Sequence, residues 1–204
     1  MKRFYVAALT GRSGSGKSYA SEYLRTKGIP TVDGDLVARE VVKPGEKCLR
    51  ELVRAFGEEI LFPDGTLNRR MLADLCFSDP KKKEKLDEIT HPCIIERMLE
   101  LFEQLRKQGY RYSLVEAAAV IESGLYAVCD KLIMITSDRE SQIARIMRRD
   151  QLSREQAQTR IDAQIREDEL RRLCDVVIVN DGSIEDFNKK LDSLAVQLEE
   201  WFAE

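Results

Sequence analysis

The chain has 204 residues, 43% hydrophobic and 34% charged, which suits one domain with insertions and is too apolar for a disordered or disulfide-stapled chain. Its 33 Lys and Arg against 36 Asp and Glu leave a formal net charge of -3, so no whole-molecule positive field draws it to nucleic acid or an anionic membrane. No apolar run approaches the ~20 residues of a membrane span, and five cysteines without a C-x-x-C pair indicate neither a zinc site nor a disulfide framework and predict free thiols in a reducing cytoplasm.

In chain order the first element is a strand over Phe4–Leu9. Its apolar stretch is shorter than the ~7 to 15 residues of a secretory core and runs into Thr10-Gly11-Arg12 without a cleavage site, so it reads as a buried strand. Gly11-Arg12-Ser13-Gly14-Ser15-Gly16-Lys17-Ser18 follows and meets the pattern G-x-x-x-x-G-K-[ST] at every fixed position. A helix-forming run over Tyr19–Arg25 leaves it. A glycine-rich turn between strand and helix can aim backbone N–H groups at a β-phosphate, at a helix end whose dipole favours anions. Gly11, Gly14 and Gly16 permit the turn, Lys17 would place its charge on the β- and γ-phosphates, and the Ser18 hydroxyl would ligate Mg2+. The chain is therefore expected to bind a nucleoside triphosphate.

The second strand, Ile29–Val32, ends in Asp33-Gly34-Asp35, two carboxylates where open α/β sheets hold their ligands. They could serve as general base or metal ligand, or as a cap and a turn acid, with Asp35 a credible cap for a helix starting near Leu36. Nearly eighty residues precede the third strand, more than one crossover helix needs. Helical periodicity over Gly45–Gly57, Asn68–Phe77 and Pro80–Leu105, around the turn Pro63-Asp64-Gly65, predicts a mostly helical insertion there. His91 is the only histidine, so a multi-histidine metal site is excluded.

The third strand, Ser113–Ala117, carries Glu116 where P-loop enzymes keep a metal-orienting carboxylate, and Glu122 follows a short apolar run. After the fourth strand, Leu132–Ile135, a helix is expected over Arg139–Arg149. The segment from Asp138 to Cys174 holds nine arginines, eight acids and no lysine. A solvated, salt-bridged face would account for it, but exclusive use of arginine favours bidentate phosphate contacts, with Arg145 and Arg149 four apart on one helix face. The fifth strand, Val176–Val179, leads through the turn Asn180-Asp181-Gly182 to an amphipathic helix over Ile184–Phe202. Continuous apolar strands alternating with helices predict an α/β fold: a P-loop NTPase core with a five-stranded parallel sheet flanked by helices. A GTPase is not indicated, because no D-x-x-G occurs and the aspartate of Asn188-Lys189-Lys190-Leu191-Asp192 comes one residue late for N-K-x-D.

Taken together, these strings resemble the dephospho-coenzyme A kinase family. The resemblance is carried in order by the loop Ala8–Ser18, Val32-Asp33-Gly34-Asp35 with Ala38-Arg39, Asp64-Gly65-Thr66-Leu67 with Arg69-Arg70, and Phe77-Ser78-Asp79-Pro80. It continues with His91-Pro92, Glu122 with Leu125-Tyr126, Arg145 to Asp150, Ala163-Gln164 and Asn180-Asp181-Gly182. The resemblance implies transfer of the ATP γ-phosphoryl group to the ribose 3'-hydroxyl of dephospho-CoA, with Mg2+. It also implies a nucleotide core over 1–35, 110–137 and 174–204, an acceptor-binding helical subdomain over 36–109 and an arginine-rich lid over 138–173. By position, Asp35 would be the general base with Asp33 beside it, and Lys17, Arg145 and Arg149 would act on the phosphates. Gly11, Gly14, Ser15, Gly16, Lys17, Ser18 and Tyr19, with Asn180 and Gly182 at the adenine, would bind ATP. Arg70, His91 and Glu122 would join Asp35 on the acceptor side, and Ser18, with Asp33 and Glu116, would hold Mg2+. Small-molecule substrates, with no nucleic acid or membrane partner, and a cytoplasmic location complete the expectation.

The chain departs from the family pattern at Arg12-Ser13, at Tyr19, at Gly34 and along Glu116-Ala117-Ala118-Ala119-Val120-Ile121-Glu122. The alanine-rich run makes a roomier wall near the acceptor. A related kinase of another hydroxyl acceptor, such as a nucleoside, and a non-catalytic ATP-binding module are the alternatives.

Overall fold

Short runs of β-branched and aliphatic residues form the sheet that carries everything else. The computed structural model describes residues 3–77, 79–117, 120–121 and 123–203. Among them are β1 (Tyr5–Thr10), β2 (Thr31–Asp33), β3 (Tyr112–Glu116), β4 (Lys131–Thr136) and β5 (Val176–Val179), every pair parallel, in the order β2-β3-β1-β4-β5. The five-stranded parallel sheet expected from the sequence is thus the observed one.

Strand edges differ by one or two residues for local reasons. The second strand starts at Thr31 rather than Ile29, because the Ile29 amide closes the preceding helix on the Leu24 carbonyl at 3.3 Å and Pro30 has no N–H to give.

The two faces of β1 feed two cores, as alternation along a strand requires. Val6 and Ala8 join Val115 against Leu52, Ile60, Met98 and Phe102 from the long insertion. Ala7 and Leu9 join Leu114, Ile133 and Ile135 against Leu24, Leu191, Leu194 and Leu198 from the helices on the other face. Each of these leucines contributes about 1.5–3 kcal/mol by leaving water.

The helices are α1 (Lys17–Thr26), α2 (Gly34–Glu40), α3 (Lys47–Phe56), α4 (Arg69–Phe77), α5 (Pro80–Lys107), α6 (Arg139–Asp150), α7 (Arg154–Asp162), α8 (Glu167–Leu173) and α9 (Ile184–Trp201). Helices α2 to α5 fill the gap between β2 and β3, so the predicted insertion is helical. Pro80 opens α5 behind the Asp79 cap, whose carboxylate accepts from the Lys81 amide at 2.9 Å. The helix runs on through Pro92 for 28 residues. The turn at Pro63-Asp64-Gly65 closes with the Phe62 amide on the Thr66 carbonyl at 2.8 Å and a bridge from Leu61 to Leu67. Helices α6 and α7 share a small core of Ile143, Ile146, Ala157 and Ile161. No helix among the described residues is long and apolar enough to cross a membrane.

Register sets up the site. Leu9 pairs with Glu116, and Asp33 pairs with the same Glu116, so the carboxyl ends of β1, β2 and β3 sit side by side. Leu114, fully buried between β1 and β2, holds that alignment. Leu114→Ala is expected to cost about 2–5 kcal/mol. Chemical denaturation would show a lower midpoint with unchanged slope, and a loss below about 1 kcal/mol would contradict this account of the core.

Candidate active site

At the end of β1 the chain enters the Gly11–Ser18 loop, and α1 begins at Lys17. Two glycines are required by what surrounds them. Gly14 has φ 76°, and a Cβ there would stand 2.5 Å from the Gln142 carbonyl oxygen of α6. Gly16, the α1 cap residue, has φ 106°, and a Cβ would run into the Asn180 amide. Backbone and side chains pressing from α6 and from the end of β5 thus mould the turn.

The moulding includes hydrogen bonds to the loop's carbonyls. Arg145 Nη1 donates to the Gly14 oxygen at 3.1 Å, the Ser15 oxygen at 3.3 Å and Ser137 Oγ at 3.0 Å, while Nη2 donates to the Asn180 oxygen at 3.1 Å. Asn180 Nδ2 donates to the same Ser15 oxygen at 2.9 Å. With its carbonyls held from behind, the loop keeps N–H groups free to face an anion. Arg145, expected as a lid arginine on the phosphates, lines the cleft in front of the loop and turns these two nitrogens to the loop and the end of β5. The amide nitrogen of Asn180, expected at the adenine, also faces the loop.

The outer half of the loop is tied to α7. Arg12 Nη2 donates to the Ile161 oxygen at 2.6 Å, and the Ser13 amide donates to Gln164 Oε1 at 2.8 Å. The departure at Arg12 is thus a contact within the protein.

A cleft of about 370 Å³ opens in front of the loop. Lys17, Ser18, Tyr19, Asp35, Glu116, Arg145, Arg148, Arg149 and Arg160 line it with the loop glycines Gly14 and Gly16. Ser18 Oγ donates to Glu116 Oε1 at 2.6 Å, which brings the expected metal-side hydroxyl and carboxylate together. Lys17 Nζ donates to the Gly11 oxygen at 2.6 Å and the Arg12 oxygen at 3.3 Å. Burial of the ammonium lowers its pKa to about 8; Glu116 and Asp35 oppose that shift, and Arg149 and Arg160 add to it.

Asp33 and Asp35 do not lie on one strand, because β2 ends at Asp33 and α2 starts at Gly34. Asp33, the last residue of β2, is the cap, accepting from the Leu36 amide at 2.9 Å. The cap is therefore Asp33 and not Asp35, which leaves Asp35 exposed in the first turn and lining the cleft. Tyr19 donates its hydroxyl to Asn188 Oδ1 at 2.8 Å and packs its ring near Phe187 at 5.8 Å. Gly182 lies exposed just before the cap of α9. Two of the expected acceptor-side residues are not among those lining this cleft: Arg70 is exposed on α4, and His91 on α5, 3.5 Å from Asp87 Oδ1, lines a hollow with Pro80 and Lys83. Glu122, with Ala118 and Ala119 of the alanine run, lies outside the described residues. Ser13, Arg148 and Arg160 line the cleft outside the expected site set; for the two arginines, membership of the arginine-rich segment was the available signal.

A family model for dephospho-CoA kinase matches residues 5–186. The chain belongs to the dephospho-CoA kinase family. A dephospho-CoA kinase of Listeria monocytogenes serovar 1/2a is 42% identical over 183 residues, covering 90% of this chain and 92% of the relative. Among solved structures, TT1252 from Thermus thermophilus aligns with TM-score 0.82 and 32% identity over 97% of this chain and 99% of that one. The dephospho-CoA kinase from Campylobacter jejuni aligns with TM-score 0.71 and 28% identity, covering 96% and 97% of the two chains. The protein is thus a kinase of the final step of coenzyme A biosynthesis, using ATP as donor and dephospho-CoA as acceptor.

Two outcomes are expected of this dephospho-CoA kinase. Arg145→Ala leaves the Gly14, Ser15 and Asn180 carbonyls short of a donor, at about 1–3 kcal/mol, so ADP affinity measured by calorimetry should fall roughly 10- to 100-fold. Unchanged affinity would remove Arg145 from the loop's support. Separately, Lys17 with a pKa of about 8 is mostly neutral near pH 9, and an arriving diphosphate favours its charged form. ADP binding in metal-free buffer at that pH should therefore take up protons, up to about one, as read from calorimetry in buffers of different ionisation enthalpy. Lys17→Met should abolish the uptake; buffer-independent heats in the native protein would contradict the assignment.

Proposed function

We propose that the cleft performs in-line transfer of the ATP γ-phosphoryl group to the ribose 3'-hydroxyl of dephospho-CoA, with Asp35 as general base. The observation that carries this is the placement of Asp35 on the same cleft as Lys17 and the Ser18–Glu116 pair, at the carboxyl end of the sheet. A carboxylate there can accept the hydroxyl proton as the new P–O bond forms, while ADP leaves with its charge on the loop's N–H groups and Lys17.

The oxygen donors fit Mg2+, which takes one or two carboxylates plus substrate phosphates in place of an all-protein cage. Ser18 and Glu116 would hold it, with Asp33 nearby at the Glu116 register, and the ion would neutralise charge on the phosphates. Lys17 orients the β- and γ-phosphates, and Arg148, Arg149 and Arg160 draw the triphosphate into the cleft. Tyr19 and Gly182, near the start of α9, bound the base side of ATP. The core over 1–35, 110–137 and 174–204 binds nucleotide. The helices within 36–109 hold the acceptor, with Asp35, Arg70, His91 and Glu122 contacting it, and 138–173 closes as a lid that excludes water. Five free thiols support a cytoplasmic location.

ADP release from Mg-ATP by the purified protein, with dephospho-CoA, adenosine, uridine or no acceptor, tests the reading. Dephospho-CoA alone should drive release, and Asp35→Asn should lower kcat about 10²- to 10⁴-fold with the fold intact. Near-normal kcat in that variant would sink the base assignment, and release driven by a nucleoside would sink the acceptor.

A further inference from the structure

Two arginines of the cleft come from different helices and meet on one carboxylate. Asp150, the last residue of α6, accepts from Arg149 Nε on Oδ1 and from Arg149 Nη2 on Oδ2, both at 2.8 Å. Its Oδ2 also accepts from Arg160 Nη1 of α7 at 2.8 Å. Asp150 is not itself among the residues lining the cleft, whereas Arg149 and Arg160 both are. The three bonds engage two of Arg149's five N–H donors and one of Arg160's, and the remaining donors stay available.

We propose that Asp150 is a positioning residue that holds Arg149 and Arg160 as one preformed, paired clamp for the transferring phosphates. The inference rests on the phosphoryl-transfer reading of the cleft and goes beyond it. Without a shared counterion, two guanidiniums converging beside Lys17 and Arg148 repel one another, and long side chains splay toward water. One carboxylate behind them offsets part of that charge and fixes two planar groups at once.

The local backbone serves the same end. Gln151, at φ 54° the one non-glycine residue of positive φ among the described residues, caps α6 directly after Asp150. The chain turns there into α7, whose last turn carries Arg160. The two helices hold together without Asp150, through Ile143, Ile146, Ala157 and Ile161 and the capping box of Ser153 and Gln156. An isosteric change at Asp150 should therefore leave the fold in place.

The test compares the native enzyme, D150N, D150E, R149A/R160A and the triple variant D150N/R149A/R160A. Readouts are ADP release with dephospho-CoA and the affinity for a non-hydrolysable ATP analogue, which needs no acceptor. D150N should lower kcat about 10- to 100-fold and weaken the analogue at least threefold, D150E should recover part of the loss, and D150N should add less than twofold in the R149A/R160A background. Native kcat and affinity in D150N would overturn the proposal, as would an equal loss in the double-arginine background, because Asp150 would then act through something other than the clamp. A native enzyme that releases no ADP with dephospho-CoA would instead overturn the acceptor reading, and the analogue affinities would still decide the clamp.

Discussion

The site depends on which way the carbonyls of one loop point. The Ser15 oxygen accepts from both Asn180 Nδ2 and Arg145 Nη1, and Arg145 also takes the Gly14 oxygen. A peptide whose C=O is satisfied from behind presents its N–H forward, so three hydrogen bonds on the far side of the loop create the anion-facing surface on the near side. Gly16 follows from this, since the Asn180 amide that holds the loop stands where a Cβ would be, and Gly14 follows from the close approach of the Gln142 backbone. Arg145 also bonds Ser137 and Asn180, just past β4 and β5, so the loop is locked to the ends of the sheet.

Charge is balanced locally in a molecule whose net charge is -3. Cations crowd the cleft, and three of them are answered nearby: Lys17 by Glu116 and Asp35, Arg149 and Arg160 by Asp150. Such an arrangement can receive a polyanion without the unfolding stress of an unneutralised cluster. Desolvation of Lys17 works in the same direction, since a partly dried ammonium gains more from phosphate than one already hydrated. The acids are therefore as much a part of anion binding as the bases.

Much of this was legible beforehand. The P-loop spacing, the strand before it and the helix after it are local in sequence, and a local pattern dictates a local turn. The sheet followed from strands apolar on both faces, and the insertion from a gap too long for one crossover. The exchange of roles at Asp33 and Asp35 was not legible, because it turns on α2 starting at Gly34, two residues before the expected start near Leu36. The hollow that His91 shares with Pro80 and Lys83 was hidden too: a residue in the middle of a 28-residue helix is placed by that helix's packing.

By itself, then, the sequence determined the fold class, the nucleotide loop and the resemblance that family comparison confirmed, since each rests on residues close together in the chain or on their order along it. Tertiary structure alone decided that Arg145 supports the loop, that Arg12 bonds the Ile161 carbonyl, and that Arg149 and Arg160 meet on Asp150. The physical reason is the reach of arginine. A long, flexible side chain with five donors can satisfy any of several acceptors, and which one it finds depends on how separate helices pack, information that no spacing along the chain contains.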